Sequence, residues 1–213
     1  MGMREEIGAM RRSYGEAGLS EAELAANPVD QFLKWLAEAA KNEFIVEANA
    51  MVLSTFGTEP ISRTVLLKDI TDAGLTFFTN YNSRKAKAIE LNPKVSLLFP
   101  WYAMERQVSI TGVATKVSEE DSARYFATRP RGSKIGAWAS SQSELLSSRE
   151  ELERKYKEFE DKFPNEVPKP PHWGGFLVSP ITFEFWQGRY SRLHDRIIYS
   201  KVNTNWEIKR LNP

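Results

Sequence analysis

The sequence contains no cysteine and only two histidines, His172 and His194. Disulfide frameworks, thiolate metal sites and cysteine nucleophiles are thereby excluded, a histidine-rich metal cage has too few ligands, and a reducing compartment fits best. Nor does one sign of charge dominate: 29 Lys plus Arg stand against 28 Asp plus Glu. No global field gathers nucleic acid or anionic lipid, so any anion site must be local. No run approaches the ~18 apolar residues of a membrane span, and repeats and low-complexity tracts are missing. The Walker loop, G-x-G-x-x-G, H-E-x-x-H and G-x-S-x-G are all absent. Residues 1–10 carry Arg4, Glu5 and Glu6 where a secretory leader has an apolar core, and Glu6 stands where a myristoylation motif needs Ser or Thr. A cytoplasmic location is the expectation.

What is there is ordinary globular composition. A chain of 213 residues, 41% of them hydrophobic, suffices for one large domain or two small ones. Asn27-Pro28 offers an N-cap and a first-turn proline, and Phe32, Leu33, Trp35, Leu36 and Ala39 recur at helical spacing, which predicts a helix over about residues 28–41. The period then falls to two or to short apolar runs, predicting strands over 50–56, 62–70, 75–79, 95–101 and 107–117. A Lys/Ala/Glu helix over 83–91 interrupts them, ended by Asn92-Pro93. Ser118-x-x-Asp121 and Ser148-x-x-Glu151 have the form of capping boxes, and a shorter helix over 133–139 falls between them. Pro164–Pro171 reads as a stiff extended connector, followed by strands over 175–187, 196–200 and 206–210. Strands at both ends and in the middle predict one antiparallel sheet closed by distant segments: a mainly β, barrel-like fold with flanking helices.

Three clusters carry chemistry. Arg63 and Lys68 on one strand join Thr79 and Ser83-Arg84-Lys85 at a helix start, where free backbone N–H groups favour a phosphate. Strand alternation sets Arg63 and Lys68 on opposite faces unless a bulge or twist intervenes. Tyr125, Arg129, Arg131 and Ser133 form a second cluster, with Tyr125 and Arg129 on one helix face and Ser133 supplied by the loop that follows. The third is Trp186-Gln187 with Arg192, His194 and Arg196, which on a strand would make a cationic row beside an aromatic wall. Asp195 there reads as a surface ion-pair partner worth little. Two arginines on one face call for an anion or an electron-rich ring, so a phosphorylated aromatic ligand or cofactor suits these groups.

Ordered blocks over nearly the whole chain then make a family resemblance specific. They are Arg-Thr-Val-Leu-Leu-Lys (63–68), Phe-Phe-Thr-Asn (77–80), Ser-Arg-Lys (83–85), Glu-Arg-Gln-Val (105–108), Tyr125 to Ser133, Ile-Gly-Ala-Trp (135–138), Gln142-Ser143, Trp-Gly-Gly (173–175), Glu-Phe-Trp-Gln-Gly (184–188) and Arg-Leu-His-Asp-Arg (192–196). From about Met10 to Pro213 the chain resembles the pyridoxine 5′-phosphate oxidase family, flavin enzymes that make pyridoxal 5′-phosphate. It departs at Ala48, where that family would carry proline.

The resemblance implies an antiparallel split β-barrel over 28–213, preceded by a flexible segment 1–27, and a homodimer with FMN at the subunit interface. It implies FMN contacts from Arg63, Thr64, Val65, Leu66, Leu67, Lys68, Phe78, Thr79, Arg84, Lys85 and Gln107, completed by Gln142, Ser143, Trp186 and Arg196, in part from the other subunit. The substrate phosphate falls to Lys68, Tyr125, Arg129 and Ser133, and the pyridine ring to Arg192 and His194, the pair expected to orient the ring and handle the proton at the 4′ substituent. Arg11 and Tyr14 match a segment that folds over the substrate as a lid. The implied reaction moves two electrons from C4′ of pyridoxine 5′-phosphate or pyridoxamine 5′-phosphate through FMN to dioxygen, giving hydrogen peroxide, and ammonia from the amine. No metal and no nucleic acid or membrane partner is expected. The rivals are a non-catalytic flavin or pyridoxal phosphate carrier, a nicotinamide-consuming flavin reductase of the same barrel class, and a single-strand nucleic-acid binder using six Trp and seven Tyr as stacking platforms, which the balanced charge disfavours.

Overall fold

The Asn27 side chain accepts the Val29 amide at 2.9 Å and Pro28 occupies the first turn, so helix α1 starts where the sequence places it and runs Pro28–Ala40. Phe32, Trp35 and Ala39 are buried along one face, while Leu33, at the same apolar period, is 40% exposed and turns to solvent. The computed structural model describes residues 6–7 and 13–213. Arg11 lies outside them.

The strands follow as β1 (Ala50–Phe56), β2 (Pro60–Leu66), β3 (Asp69–Thr71), β4 (Gly74–Asn80), β5 (Lys94–Trp101), β6 (Arg106–Lys116), β7 (Trp173–Gln187), β8 (Asp195–Val202) and β9 (Asn205–Leu211). Helix α2 (Arg84–Leu91) separates β4 from β5, and α3 (Glu119–Ala127), α4 (Arg131–Ala139) and α5 (Arg149–Lys162) fall between β6 and β7. Hydrogen bonding orders the strands β2-β1-β5-β6-β7-β4-β3, with β8 on β7 and β9 on β8. The β1–β2, β3–β4, β4–β7, β7–β8 and β8–β9 ladders are antiparallel.

The chain divides into two units, and β5, β6 and β7 contribute residues to both. The first draws on residues 1–48, 98–110 and 182–213. Its core is aromatic: Phe32 meets Phe99 edge-on at 4.8 Å, Trp35 meets Phe185 at 5.2 Å, and Phe185 meets Tyr199 at 5.5 Å. Fully burying each such ring contributes about 1.5–3 kcal/mol. Burial pushes the Tyr199 phenol up to about 12, and its hydroxyl donates to the Ala25 carbonyl at 2.8 Å.

The second unit comprises 49–97 and 111–181. Met51 and Leu53 of β1, Leu75 and Phe77 of β4, Leu97 of β5 and Val178 of β7 are fully buried. Ser118 and Ser148 accept the amides of Asp121 and Glu151, as capping boxes require. Helix α5 has no fully buried residue: one side carries i,i+3 and i,i+4 ion pairs, among them Arg149–Glu153 and Lys155–Glu151, while Phe159 lies 5.6 Å from the Trp138 ring of α4. Arg131 donates to the carbonyls of Asn165 and Phe163, and Trp138 to that of Pro168 at 2.7 Å, tying α4 to the connector.

The predicted strand over 62–70 is in fact two. The Leu67 amide donates to Asn49 beside β1 and the Lys68 amide to Thr76 of β4, so the chain changes pairing partner between these residues. Alternation does not run through such a break, and the opposite-face expectation for Arg63 and Lys68 lapses with it. Ser133 also departs from expectation: α4 begins at Arg131, so Ser133 is in its first turn and not in a loop. The strand expected from residue 196 does not extend back through Arg192 and His194 to make a cationic row: a tight turn precedes it, with Ser191 at φ 56° and Arg192 at φ 63°, both left-handed. Strand pairing starts at Asp195.

Candidate active site

In the second unit, a cavity of about 670 Å³ opens between β2, β4, α3 and α4. Thr64, Val65, Leu66, Lys68, Phe78, Thr79, Lys85 and Gln142 line it, and so do Tyr125, Arg129 and Ser133. Two clusters far apart in sequence thus line one cavity.

At one end, Lys85 in the uncapped first turn of α2 is 8% exposed. Its ammonium donates to Thr79 Oγ1 at 3.1 Å and Gln142 Oε1 at 3.2 Å, and among the described residues it has no carboxylate partner. Burial, and then the neighbouring Arg63, lower Lys85 to about 8. Burial and the nearby Arg84 also hold Arg63 below the usual guanidinium range. Arg63 lies outside the cavity lining and donates to Thr55 Oγ1 at 2.8 Å and the Leu53 carbonyl at 3.2 Å, while Arg84 pairs with Glu59 at the surface. A buried ammonium and a half-buried guanidinium that repel one another, each bonded only to neutral oxygens among the described residues, form a seat for a multiply charged anion.

At the other end, Tyr125 stacks on Phe78 at 4.0 Å and 17°, and Phe78 on Trp173 at 5.4 Å and 8°. The Arg129 guanidinium lies over Trp173, 4.7 Å from the ring centroid. Its Nη1 is buried and is the unpartnered side-chain polar atom among the described residues. Burial lowers its pKa. A guanidinium that lines a cavity with Lys68 and Ser133 and carries an orphaned nitrogen marks a second anion seat. Sequence reading gave Trp173 no role. The signal was the glycine pair after it: a Cβ on Gly175 would lie 2.7 Å from Phe78 Cε1, so the stack forms only against glycine.

In the first unit, Trp186 and Arg196 are cross-strand partners on β7 and β8. Arg196 Nε donates to Glu184 Oε1 at 2.8 Å, which raises its pKa, so this arginine is already compensated. His194 lies 4.7 Å from Trp186 and 5.3 Å from Tyr14, ring centre to ring centre. Its Nδ1 accepts the Arg189 amide at 3.1 Å. A neutral His194 therefore carries its hydrogen on Nε2 and offers a donor there. Arg192 is exposed and, among the described residues, has no ion pair. Gln107 is half-buried on β6, Leu67 is buried, and Ser143 is exposed with φ 74°.

Asp195 differs from the surface partner expected of it. It is 7% exposed and accepts from the Leu19 amide, Arg189 and Arg210. Burial pushes its carboxyl up, and the Leu19 amide with Arg210 and Arg189 outweighs that and holds it below the usual range.

Residues 37–163 match the family model described as pyridoxamine 5′-phosphate oxidase, more than half of the chain. The chain belongs to the pyridoxamine 5′-phosphate oxidase family. Residues 173–213 match the C-terminal dimerisation region of pyridoxine 5′-phosphate oxidase. A pyridoxine/pyridoxamine 5′-phosphate oxidase of Streptomyces avermitilis is 49% identical over 213 residues, covering 96% of this chain and 95% of that protein. One from Rubrobacter xylanophilus is 50% identical over 215 residues, covering 100% and 99%. Among solved structures, PhzG from Burkholderia lata, in complex with tetrahydrophenazine-1-carboxylic acid, matches with a TM-score of 0.86 at 27% identity, over 93% of this chain and 100% of that one. A pyridoxamine 5′-phosphate oxidase-related FMN-binding protein from Nostoc punctiforme matches with a TM-score of 0.70 at 17% identity, over 89% and 100%, a likeness of fold. The fold of this family member is the antiparallel split barrel with flanking helices.

Proposed function

We propose that this chain catalyses the FMN-dependent oxidation of pyridoxine 5′-phosphate or pyridoxamine 5′-phosphate by dioxygen to pyridoxal 5′-phosphate. Hydrogen peroxide is the co-product, and the amine also consumes water and releases ammonia. The observation that carries this reading is that Lys85, buried, and Arg129, with its buried Nη1, line one cavity and have no carboxylate partner among the described residues. Two phosphate seats suit a phosphorylated flavin and a phosphorylated substrate, whereas a flavin carrier needs only one.

The residues present fit the cofactor. Lys85 and Thr79, in the field of Arg63 and Arg84, would hold the FMN phosphate; the 64–68 segment, Phe78 and Gln142 would lie along the flavin. Gln107, Ser143, Trp186 and Arg196 would complete the site in a homodimer with FMN at its interface, a reading supported by the match of 173–213 to a dimerisation region. In this reading residues 28–213 act as one FMN-binding domain and 1–27 as an active-site lid. FMN supplies the two-electron redox chemistry, accepting electrons from C4′ and returning them to dioxygen.

The chain's own residues bind and orient. Arg129, Ser133, Tyr125 and Lys68 would fix the substrate phosphate and so set where C4′ points. Arg192, with no carboxylate partner among the described residues, would lie against the pyridine ring, and the His194 Nε2–H would donate to a ring or 4′ oxygen. Arg11 and Tyr14 would cover the substrate from the N-terminal side.

An anaerobic titration tests the reading. Adding pyridoxine 5′-phosphate to the FMN-loaded protein is expected to bleach the flavin absorbance, with air restoring it and pyridoxal 5′-phosphate appearing in equal amount. Flavin that binds but never bleaches would favour the non-catalytic carrier.

A further inference from the structure

We infer that Glu105 is a positioning residue whose carboxylate fastens the segment that seats Tyr14 on Trp186 and His194. The inference rests on the oxidase reading and extends it to a residue for which that reading has no task. Glu105 Oε2 accepts the Gly15 amide at 2.8 Å. One residue earlier, the Tyr14 ring stands edge-on to His194 at 85° and to Trp186 at 83°, with centroids 5.3 and 5.7 Å away. A second carboxylate, Asp195, accepts the Leu19 amide at 3.0 Å, so the span from Gly15 to Leu19 is held at both ends by backbone N–H groups.

The surroundings aim the Glu105 carboxylate. Its backbone is left-handed, at φ 54° and ψ 35°. Its carbonyl accepts the Gly188 amide at 2.7 Å and Gln187 Nε2 at 3.3 Å, and Arg106 Nε in turn holds Gln187 Oε1 at 2.8 Å. Gly188 makes room on the other side: a Cβ there would lie 2.8 Å from Tyr14 Cδ1 and 3.1 Å from Glu105 Cβ. Turn, glycine and carboxylate thus form one socket for Tyr14.

Tyr14 itself is only half-buried and belongs to no helix or strand. Ordering each such residue costs about 1–2 kcal/mol in backbone entropy, so edge-on ring contacts alone hold the segment poorly, and a bond to a charged acceptor shifts the balance toward the seated state. Substrate affinity scales with the seated fraction, whereas turnover of bound substrate does not.

The test compares Glu105→Ala and Glu105→Gln in the FMN-loaded full chain. The alanine variant is expected to raise KM for pyridoxine 5′-phosphate roughly tenfold, with kcat within about twofold of wild type. Glutamine, whose Oε1 can accept the Gly15 amide, should recover most of that loss. Hydrogen exchange over residues 13–19 should accelerate in the alanine variant while the thermal midpoint stays put. An unchanged KM with unchanged exchange, or a glutamine variant as impaired as the alanine one, overturns the assignment. If wild-type protein fails to turn over the substrate, the oxidase reading falls, and exchange alone decides whether Glu105 fastens the segment.

Discussion

The Arg189 amide donates to His194 Nδ1 at 3.1 Å, and this bond decides which hydrogen bond His194 can offer. With the Nδ1 lone pair engaged, Nε2 carries the hydrogen of the neutral ring. Glutamine places an amide N–H near the Nε2 position and asparagine near Nδ1. His194→Gln should therefore retain more kcat/KM than His194→Asn, and His194→Ala should lose about ten- to a hundredfold, the cost of one hydrogen bond in a desolvated site. Steady-state kinetics of the three variants check the order, and the reverse ranking of Gln and Asn would count against the donor role.

With Lys85 in the proposed FMN-phosphate seat, FMN binding is expected to depend on pH. Its folded value is lowered to about 8 by burial and Arg63, below the 10.5 of a free lysine. In the cofactor-free protein it is charged below about 8 and loses its proton as pH rises through that value. A phosphate prefers the charged form, so the FMN dissociation constant should rise above pH 8 with a slope of up to about one decade per pH unit. The sign for stability is opposite: an unfolded chain keeps the proton up to 10.5, so the buried-charge cost of Lys85 is fully present below about 8 and is relieved between 8 and 10.5. Riboflavin, lacking the phosphate, should show no such trend, and Lys85→Met should remove it. A pH-independent FMN affinity in wild type would disprove the assignment.

Arg129 separates function from stability. An unpartnered buried Nη1 costs the ligand-free protein about 1–3 kcal/mol. Arg129→Met should raise KM for the phosphorylated substrate at least about tenfold, yet leave the thermal midpoint unchanged or higher by up to about 4 °C. Scanning calorimetry beside kinetics checks both halves; a large drop in the midpoint would show that Arg129 is structural.

Gly175 is expected to act on the site without touching a ligand. Its Cβ position is 2.7 Å from Phe78 and 2.9 Å from Val117 Cγ2, so Gly175→Ala must displace the ring on which Tyr125 stacks. A loss of about 1–3 kcal/mol in stability and a raised KM are expected, measurable by denaturant unfolding and substrate titration. Wild-type KM in this variant would show that the stack does not position Tyr125.

Much of this was legible in the sequence because local rules govern it. Asn27-Pro28, Ser118 and Ser148 start their helices where caps require, and β1 alternates Met51, Leu53 and Thr55 inward as a half-buried strand should. The convergence of Lys85 with Tyr125 and Arg129 on one cavity was legible only through the family resemblance, since no periodicity relates residues that far apart. What failed did so where tertiary pairing overrides local pattern. Lys68 leaves the strand of Arg63 because the chain switches partner from the β1 side to β4, and the cationic row that Arg192 and Arg196 would make on a strand does not form because two left-handed residues turn the chain before Asp195. Asp195 looked like a surface charge because its partners, Leu19 and Arg210, are distant in sequence.

Arg210 bonds Asp195, the Leu19 carbonyl and both carboxylate oxygens of Glu21. The last strand and the segment leading out of Tyr14 are thus clasped by a single guanidinium. A lesion in β9 should therefore present as a defect in substrate handling, and screens that rank variants by sequence distance from the aromatic platform would overlook it.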